Sequence, residues 1–359
     1  MEMASLLRFR TSRDYSLVGP ETAKAIESGL ASGEWYKTPI ERKLLKALMQ
    51  RSDGPALRDT AIWLGLLVVL GTAGALLSNS WWAVPVFALY GVVYASAADS
   101  RWHECGHRTA FRTTWPNDVV YVLASFMLLR SPTAWRWSHA RHHTDTIIVG
   151  RDPEIAGMRP PQLIVMALNF FGLVNVPQSL MTQARYAAGR LNDEEKSYIP
   201  ENERGKVQRE AWAILAIHGG AVGLAVATQS LVPVLLIGLP NVYGIWLLAL
   251  MGLTQHLGLA EDVLDHRLDS RTVYMNPVLR FIYWNMNYHV EHHMYPTVPY
   301  HALPALHAAI KHDCPAPMRS VFAAWGEMLP AVFRQLNEPG YFIRKELPPG
   351  AGQPAQRGR

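Results

Sequence analysis

The chain has 359 residues, with 34 Lys plus Arg against 29 Asp plus Glu and 49% hydrophobic residues, and its mean hydropathy is close to zero. Those averages suit a soluble domain, but no charged residue occurs in 60–98 or in 211–256, stretches of 39 and 46 residues; that partition excludes an ordinary soluble protein. The net charge of +5 is not gathered into a basic stripe or a binding motif, which argues against a nucleic-acid role. Two cysteines, Cys105 and Cys314, cannot by themselves build a metal site, and in a chain whose polar mass faces the cytoplasm no disulfide is expected.

Residues 1–59 are polar and are expected to be cytoplasmic. Arg8, Arg10, Arg13 and Asp14 are not followed by the apolar core or cleavage site of a signal peptide, so the first apolar hairpin is expected to be its own insertion signal. Within this segment, 38–49 reads as an amphipathic helix on the membrane surface, with Thr38 as its cap and Pro39 at its first position. A bilayer core about 30 Å thick takes roughly 20 helical residues per crossing, so each uncharged stretch predicts a helical hairpin. The first hairpin runs 62–77 and 81–98 and turns at Ser78-Asn79-Ser80; the second runs 212–227 and 235–253 and turns near Gln229-Ser230. Pro85 and Pro240 fall inside returning spans, where membrane helices tolerate kinks.

Each hairpin returns the chain to the side it left. All charged blocks therefore share one face, and the positive-inside rule makes it cytoplasmic. The predicted fold is all-α integral membrane: four transmembrane helices as two hairpins under a cytoplasmic, histidine-rich helical cap, both termini and the active site cytoplasmic, in a bacterial inner membrane. The membrane domain is expected at 60–310 and a cytoplasmic C-terminal segment at 311–359, its Pro/Gly-rich tail from 347 disordered. The apolar runs 119–129 and 163–176 are too short to cross and should lie at the interface, and 191–209 should be solvated.

Eight of 14 histidines fall in three clusters, His103-x3-His107, His139-x2-His142-His143 and His289-x2-His292-His293, and a ninth, His256, ends the second uncharged stretch. Residues i, i+3 and i+4 share a helix face, so each cluster presents its imidazoles together, and all lie on the same side of the membrane. Neutral imidazole binds iron, zinc, copper and nickel, and one metal rarely takes more than six ligands, so this many histidines predict two metals. His218 lies mid-span and reads as a helix contact; His266, His301, His307 and His312 lack cluster partners and read as structural or surface residues.

His103-Glu104-Cys105-Gly106-His107, His139-Ala140-Arg141-His142-His143 and His289-Val290-Glu291-His292-His293, set around two hairpins, resemble the integral-membrane fatty acid desaturase and hydroxylase superfamily. Residues 284–288 and 295–304, around the third cluster, are similar to bacterial acyl desaturases. The resemblance implies two non-haem iron ions that activate dioxygen (O2, the co-substrate) against an unactivated C–H bond. It implies His103, His107, His139, His142, His143, His289, His292 and His293 as ligands, and Gln255-His256-Leu257-Gly258, similar to a segment of membrane alkane monooxygenases, adds His256. Neutral ligands would leave each iron electrophilic, and the carboxylates near enough to orient the imidazoles are Glu104, Asp145, Asp152, Glu154 and Glu291.

A fatty acid or fatty-acyl chain is the expected substrate, in a tunnel flanked by Trp135, Trp137, Trp284 and Tyr288, aromatics that could equally anchor the interface or pack in the core. The chain carries no haem or Cys-rich redox module, so the resemblance implies an external electron donor, a ferredoxin-type protein with its NAD(P)H reductase, docking on the basic cytoplasmic face. Desaturation is the expected outcome, with hydroxylation or oxidative decarboxylation to a terminal alkene as siblings. Two readings from other classes are open: His103-Glu104-x-x-His107 satisfies the H-E-x-x-H zinc metalloprotease motif, and histidine clusters at a membrane also suit a metal transporter.

Overall fold

The computed structural model describes residues 12–353; Arg8 and Arg10, and 354–359 of the tail expected to be disordered, lie outside the described residues. Among those residues there are helices and loops and no strands, with two isolated bridges, Thr272 to Tyr288 and Val273 to Met318. Three helical stretches are long and apolar enough to cross a membrane: Arg42–Leu76, Ala83–Gly106 and Glu201–Thr228. The first contains α1 (Asp53–Leu76) and the second joins α2 (Ala83–Gly91) to α3 (Ala97–Gly106) through a π-helical turn, Val92–Ser96. After α3 come α4 (Thr114–Met127), α5 (Pro132–Thr144), α6 (Leu163–Asn169) and α7 (Asn175–Ala187), and then α8 (Arg204–Thr228) within the third stretch.

The segment expected as a span at 235–253 is helical in pieces: Val232–Leu236, Pro240–Tyr243 and α9 (Trp246–Gly252). Gly238 has a positive φ of 97°, and Pro240 has no N–H to continue the ladder, so the helix breaks there. The break is matched by the π turn across from it. Ser96 Oγ donates to the Gly244 carbonyl at 2.7 Å and accepts from Leu248 N at 2.9 Å, and Asn241 Nδ2 donates to the Met127 carbonyl at 2.8 Å. Irregular backbone at membrane depth survives only when its polar groups are satisfied inside the protein in this way.

Gly91 and Gly244 cross back to back, and a Cβ on Gly244 would run into the Gly91 backbone. Gly244→Ala is therefore expected to lower stability by about 1–3 kcal/mol or more through overpacking, read as a drop in the thermal midpoint in detergent; Gly219→Ala, whose Cβ meets open space, should leave that midpoint in place.

The helical stretch that begins as α2 does not stop at the end of its apolar part. It continues through α3 into the first histidine cluster, because Arg101 satisfies its charge inside the protein: its guanidinium donates to the Ala97, Phe281 and Ile282 carbonyls and lies over the rings of Trp63, Phe281 and Trp284 at 4.9–5.2 Å. This buried cation ties α3 to the segment leading into α10 (His289–Met294), which carries the third cluster. Two further helices, α11 (Leu303–Ile310) and α12 (Val321–Arg334), close the polar side.

Two expectations near the ends are corrected. Thr38 caps no helix: the surface helix starts at Arg42, and Thr38 is buried with its hydroxyl donating to Asp313 at 2.7 Å. The tail from 347 is not free at its start, since Gly352 N donates to Asp313 at 2.6 Å and Arg267 donates to the Gly352 carbonyl at 2.8 Å. Both segments are claimed by one buried carboxylate, which composition does not reveal.

Candidate metal centre

The eight histidines singled out by spacing and His256, added by the resemblance, come together in two groups, His103, His107, His139, His143 and His292 in one and His142, His256, His289 and His293 in the other; within each, the ligand atoms lie within 4.8 Å of one another. The division follows from helix geometry. Successive residues of an α-helix diverge by about 100°, so adjacent histidines cannot reach the same point. α5 sends His139 and His143 to the first group and His142 to the second, while α10 sends His292 to the first and His289 and His293 to the second. The groups lie side by side, with the His143 and His293 rings 4.4 Å apart and near parallel. His256 arrives from the turn after α9.

In the first group, Nε2 of His139 is 3.2, 3.1 and 3.2 Å from Nε2 of His103, His107 and His143, and His292 Nε2 is 2.7 Å from His103 and 3.2 Å from His143. In the second, His289 Nε2 is 3.0 Å from both His256 and His293. Imidazole nitrogens held about 2.1 Å from a common ion at right angles would be separated by about 3.0 Å.

The protons argue the same way. His256 Nδ1 donates to the Asp269 carbonyl at 2.8 Å, and Nδ1 of His139 and His142 lies 3.0 and 2.9 Å from Glu154 and Asp152. A neutral ring that carries its proton on Nδ1 presents a bare lone pair at Nε2. Lone pairs facing each other at these distances call for a cation between them, so the residues present fit a metal in each group.

Electrostatics keeps most of these rings neutral, the form that ligates. Burial pushes His107, His143, His289, His292 and His293 well below the ordinary imidazole value, and burial together with nearby His142 takes His256 down to about 3. His142 goes the other way: burial opposes its charge, but the charge and hydrogen bond of Asp152 outweigh it and lift the ring to about 9. Burial also opposes ionisation of Glu154, yet the adjacent His139 holds it down to about 2.

Of the five carboxylates expected around the imidazoles, Asp152 and Glu154 touch ligand rings and three do not. Glu104 Oε1 accepts from Tyr300 N at 2.9 Å, Asp145 pairs with Arg151 at 3.0 Å, and Glu291 turns to the back of α10, 2.5 Å from His307 Nδ1 and 2.6 Å from the Thr272 hydroxyl. Glu291 sits between His289 and His292 in sequence, and the same helical divergence that splits the histidines points it away from them. His307 and His266, read as structural, are buried; the His266 ring stacks on Trp35 at 4.1 Å and lies 5.0 Å from that of His293. Residues that spacing did not single out are Thr146, whose Oγ1 is 3.2 Å from His293 Nδ1, and Ser138, which donates to Glu154 at 2.9 Å. Thr146 follows His142 by one helical turn, the only sequence signal it carries.

Three of the four aromatics expected along a tunnel make ring contacts, and the fourth is exposed. Trp284 stacks on Tyr300 at 4.3 Å, Trp135 meets Trp102 edge to face at 5.7 Å, Tyr288 packs on His307 at 5.3 Å, and Trp137 is 40% exposed. A cleft of about 100 Å³ instead opens beside His142 and His256, walled by Ile147, Ile155, Leu253 and Leu257.

Residues 79–324, more than half of the chain, match the fatty acid desaturase family. The chain belongs to the fatty acid desaturase family. Similar curated proteins include a chloroplastic omega-3 fatty acid desaturase of Glycine max, 27% identical over 72% of this chain and 60% of the relative, and an omega-6 fatty acid desaturase of the endoplasmic reticulum from the same plant, 28% identical over 57% and 60%. A dihydrorhizobitoxine desaturase of Bradyrhizobium elkanii is 24% identical over 86% of this chain and 92% of the relative. The chain thus matches about three-fifths of the length of the two soybean desaturases and nearly all of the bacterial one.

Proposed function

We propose that this member of the fatty acid desaturase family is a membrane-bound oxidoreductase holding two non-haem irons, which uses dioxygen to remove hydrogen from an aliphatic C–H bond of a fatty acid or fatty-acyl chain and leaves a double bond. The observation that carries this reading is the sorting of nine histidines into two adjacent groups whose ring nitrogens converge. His103, His107, His139, His143 and His292 would hold one ion and His142, His256, His289 and His293 the other; iron so bound supplies the oxidising power of dioxygen.

The protein's own part is to orient and exclude. Glu154 and Asp152 fix the tautomers of His139 and His142, burial keeps bulk water from the centre, and the small cleft beside His142 and His256, which mixes Ile147, Ile155, Leu253 and Leu257 with Glu154, Arg159, Gln255 and Glu261, offers an apolar wall on which a methylene would rest. The H-E-x-x-H protease reading loses support because His103 and His107 are completed by three histidines of the other clusters, which a protease zinc does not need, and Glu104 is engaged by Tyr300 N.

In this reading the three long helices, with the broken segment 232–252 as a fourth crossing, form two hairpins in a bacterial inner membrane, with both termini and the histidine cap on the cytoplasmic side. Residues 60–310 form the catalytic domain. Electrons come from an external ferredoxin-type donor and its NAD(P)H reductase.

The test is anaerobic metal analysis of the purified protein, then product identification after supplying fatty acids, oxygen and a ferredoxin reducing system. Two irons per chain, one for each histidine group, and a product lighter by one hydrogen molecule are expected. An added oxygen would move the activity to hydroxylation, and loss of the carboxyl carbon to alkene-forming decarboxylation. Zinc alone with no oxygen uptake overturns the proposal.

A further inference from the structure

A second cavity lies away from the histidines. It is a wide, open cleft of about 550 Å³ lined by Ala167, Phe170, Phe171, Tyr243 and Trp246, with no charged residue in its wall. It sits where α6 and the turn after it dock on the broken segment: Gly172, at a φ of +59°, packs so closely on the Asn241 carbonyl that no Cβ would fit there. Around its mouth the surface stays apolar, with Phe171 55% and Leu173 49% exposed. This surface runs on to α12, whose Phe322, Leu329 and Phe333 are exposed at helical spacing. An exposed apolar face of this kind suits the apolar interior of a bilayer better than water.

This cleft and the one beside the histidines sit at the two ends of one helix. α9 begins with Trp246 in the bilayer-facing cleft and ends with Gly252, which together with Leu253 walls the cleft at His142 and His256. An apolar cluster lies between them: Leu163, Met166, Leu253 and Trp325 pack against buried Leu257, Met328 and Val332, with the Phe170 and Trp325 rings 5.7 Å apart. Trp325 is held in this partition by its indole N–H, which donates to the Leu250 carbonyl at 2.8 Å. A partition of side chains, with no backbone ladder across it, can part by rotamer changes alone.

We propose that the cleft at Phe170 and Trp246 is a lateral binding site for the tail of a non-esterified fatty acid dissolved in the bilayer, and that the chain reaches the histidines along α9 through the Leu163, Leu253 and Trp325 partition. This rests on the fatty-chain reading above and narrows it: the substrate comes from the membrane, not from a soluble carrier thioester. A single chain is the occupant because the wall is made of a few side chains with no charge to meet a head group.

The test uses the full-length protein without metal, in phosphatidylcholine vesicles, with a fatty acid carrying a mid-chain diazirine and peptide mapping after illumination. Labels are expected in residues 163–173 and 243–253, displaced by excess unmodified fatty acid. Ala167→Trp, which fills the cleft, should cut the displaceable labelling roughly tenfold. Leu173→Asp, which charges the exposed mouth and changes no residue of the lining, should do the same and serves if the tryptophan variant fails to fold. Labelling at these peptides that excess fatty acid does not displace would mean bilayer contact alone and overturn the site. Displacement by added phospholipid as efficiently as by fatty acid would overturn the single-chain occupant. If displaceable labelling is found but the iron-loaded enzyme converts no fatty acid, the site stands and the proposed reaction fails.

Discussion

His142→Ala is expected to end turnover and to empty one metal position while leaving the other filled. His142 is one of only four rings in its group, and its partners His256, His289 and His293 come from two other segments, so three nitrogens are left without the one that α5 contributes. His107→Ala should also end turnover but empty the opposite position, because it belongs to the group of five. The two variants together test the assignment of neighbours in sequence to different ions. Metal analysis with iron spectroscopy on anaerobically purified protein should show about half the wild-type content in each, with different residual signals. An active His142→Ala protein with full metal content would overturn the scheme. So would a single indistinguishable loss in both variants, since it would mean that the nine rings serve one ion.

The all-α character and the presence of helices long and apolar enough to cross a membrane were legible because they depend on bulk properties, the absence of charge over 60–98 and 211–256, and the grouping of the histidines was legible from spacings of i, i+3 and i+4. What could not be read was anything set by direction across the fold. Residues 235–253 satisfy the apolar requirement for a span, yet Gly238 and Pro240 break them, and only the facing π turn with Ser96 shows how the freed backbone is satisfied. Glu291 lies within the third cluster in sequence and behind it in space. Thr38 has the chemistry of a helix cap, but Asp313, 275 residues away, takes its hydroxyl. Trp284 and Tyr288 flank a cluster in the chain, whereas the cavity wall beside the histidines comes from Ile147, Ile155 and Leu253, residues with no signal beyond being apolar. Local periodicity reports which face a residue occupies, and the partner of that face is a tertiary fact.

Asp152→Asn and Glu154→Gln are expected to weaken metal binding by roughly 10–100-fold each, Glu154→Gln with little change in the thermal midpoint of the metal-free protein. The neutral amides keep the shape of the acceptor and can still receive the Nδ1 proton, but they remove the negative charge that faces Nδ1 of His142 and His139. Glu154 gives the cleaner test, because Asp152 also accepts from Ile147 N at 2.8 Å and Glu154 N at 2.7 Å, so Asp152→Asn should cost some stability of the loop as well. Glu291→Gln is the contrasting change. Its carboxylate receives the Thr272 hydroxyl and faces His307 while fully buried, so losing its charge should lower stability by about 1–3 kcal/mol while metal affinity in the folded protein stays near wild type. Competition with a chelator, paired with thermal unfolding of the same preparations, separates the two effects. If Glu291→Gln weakens metal binding as much as Glu154→Gln does, contact with a ligand ring is not what distinguishes these carboxylates, and the orienting role given to Asp152 and Glu154 falls.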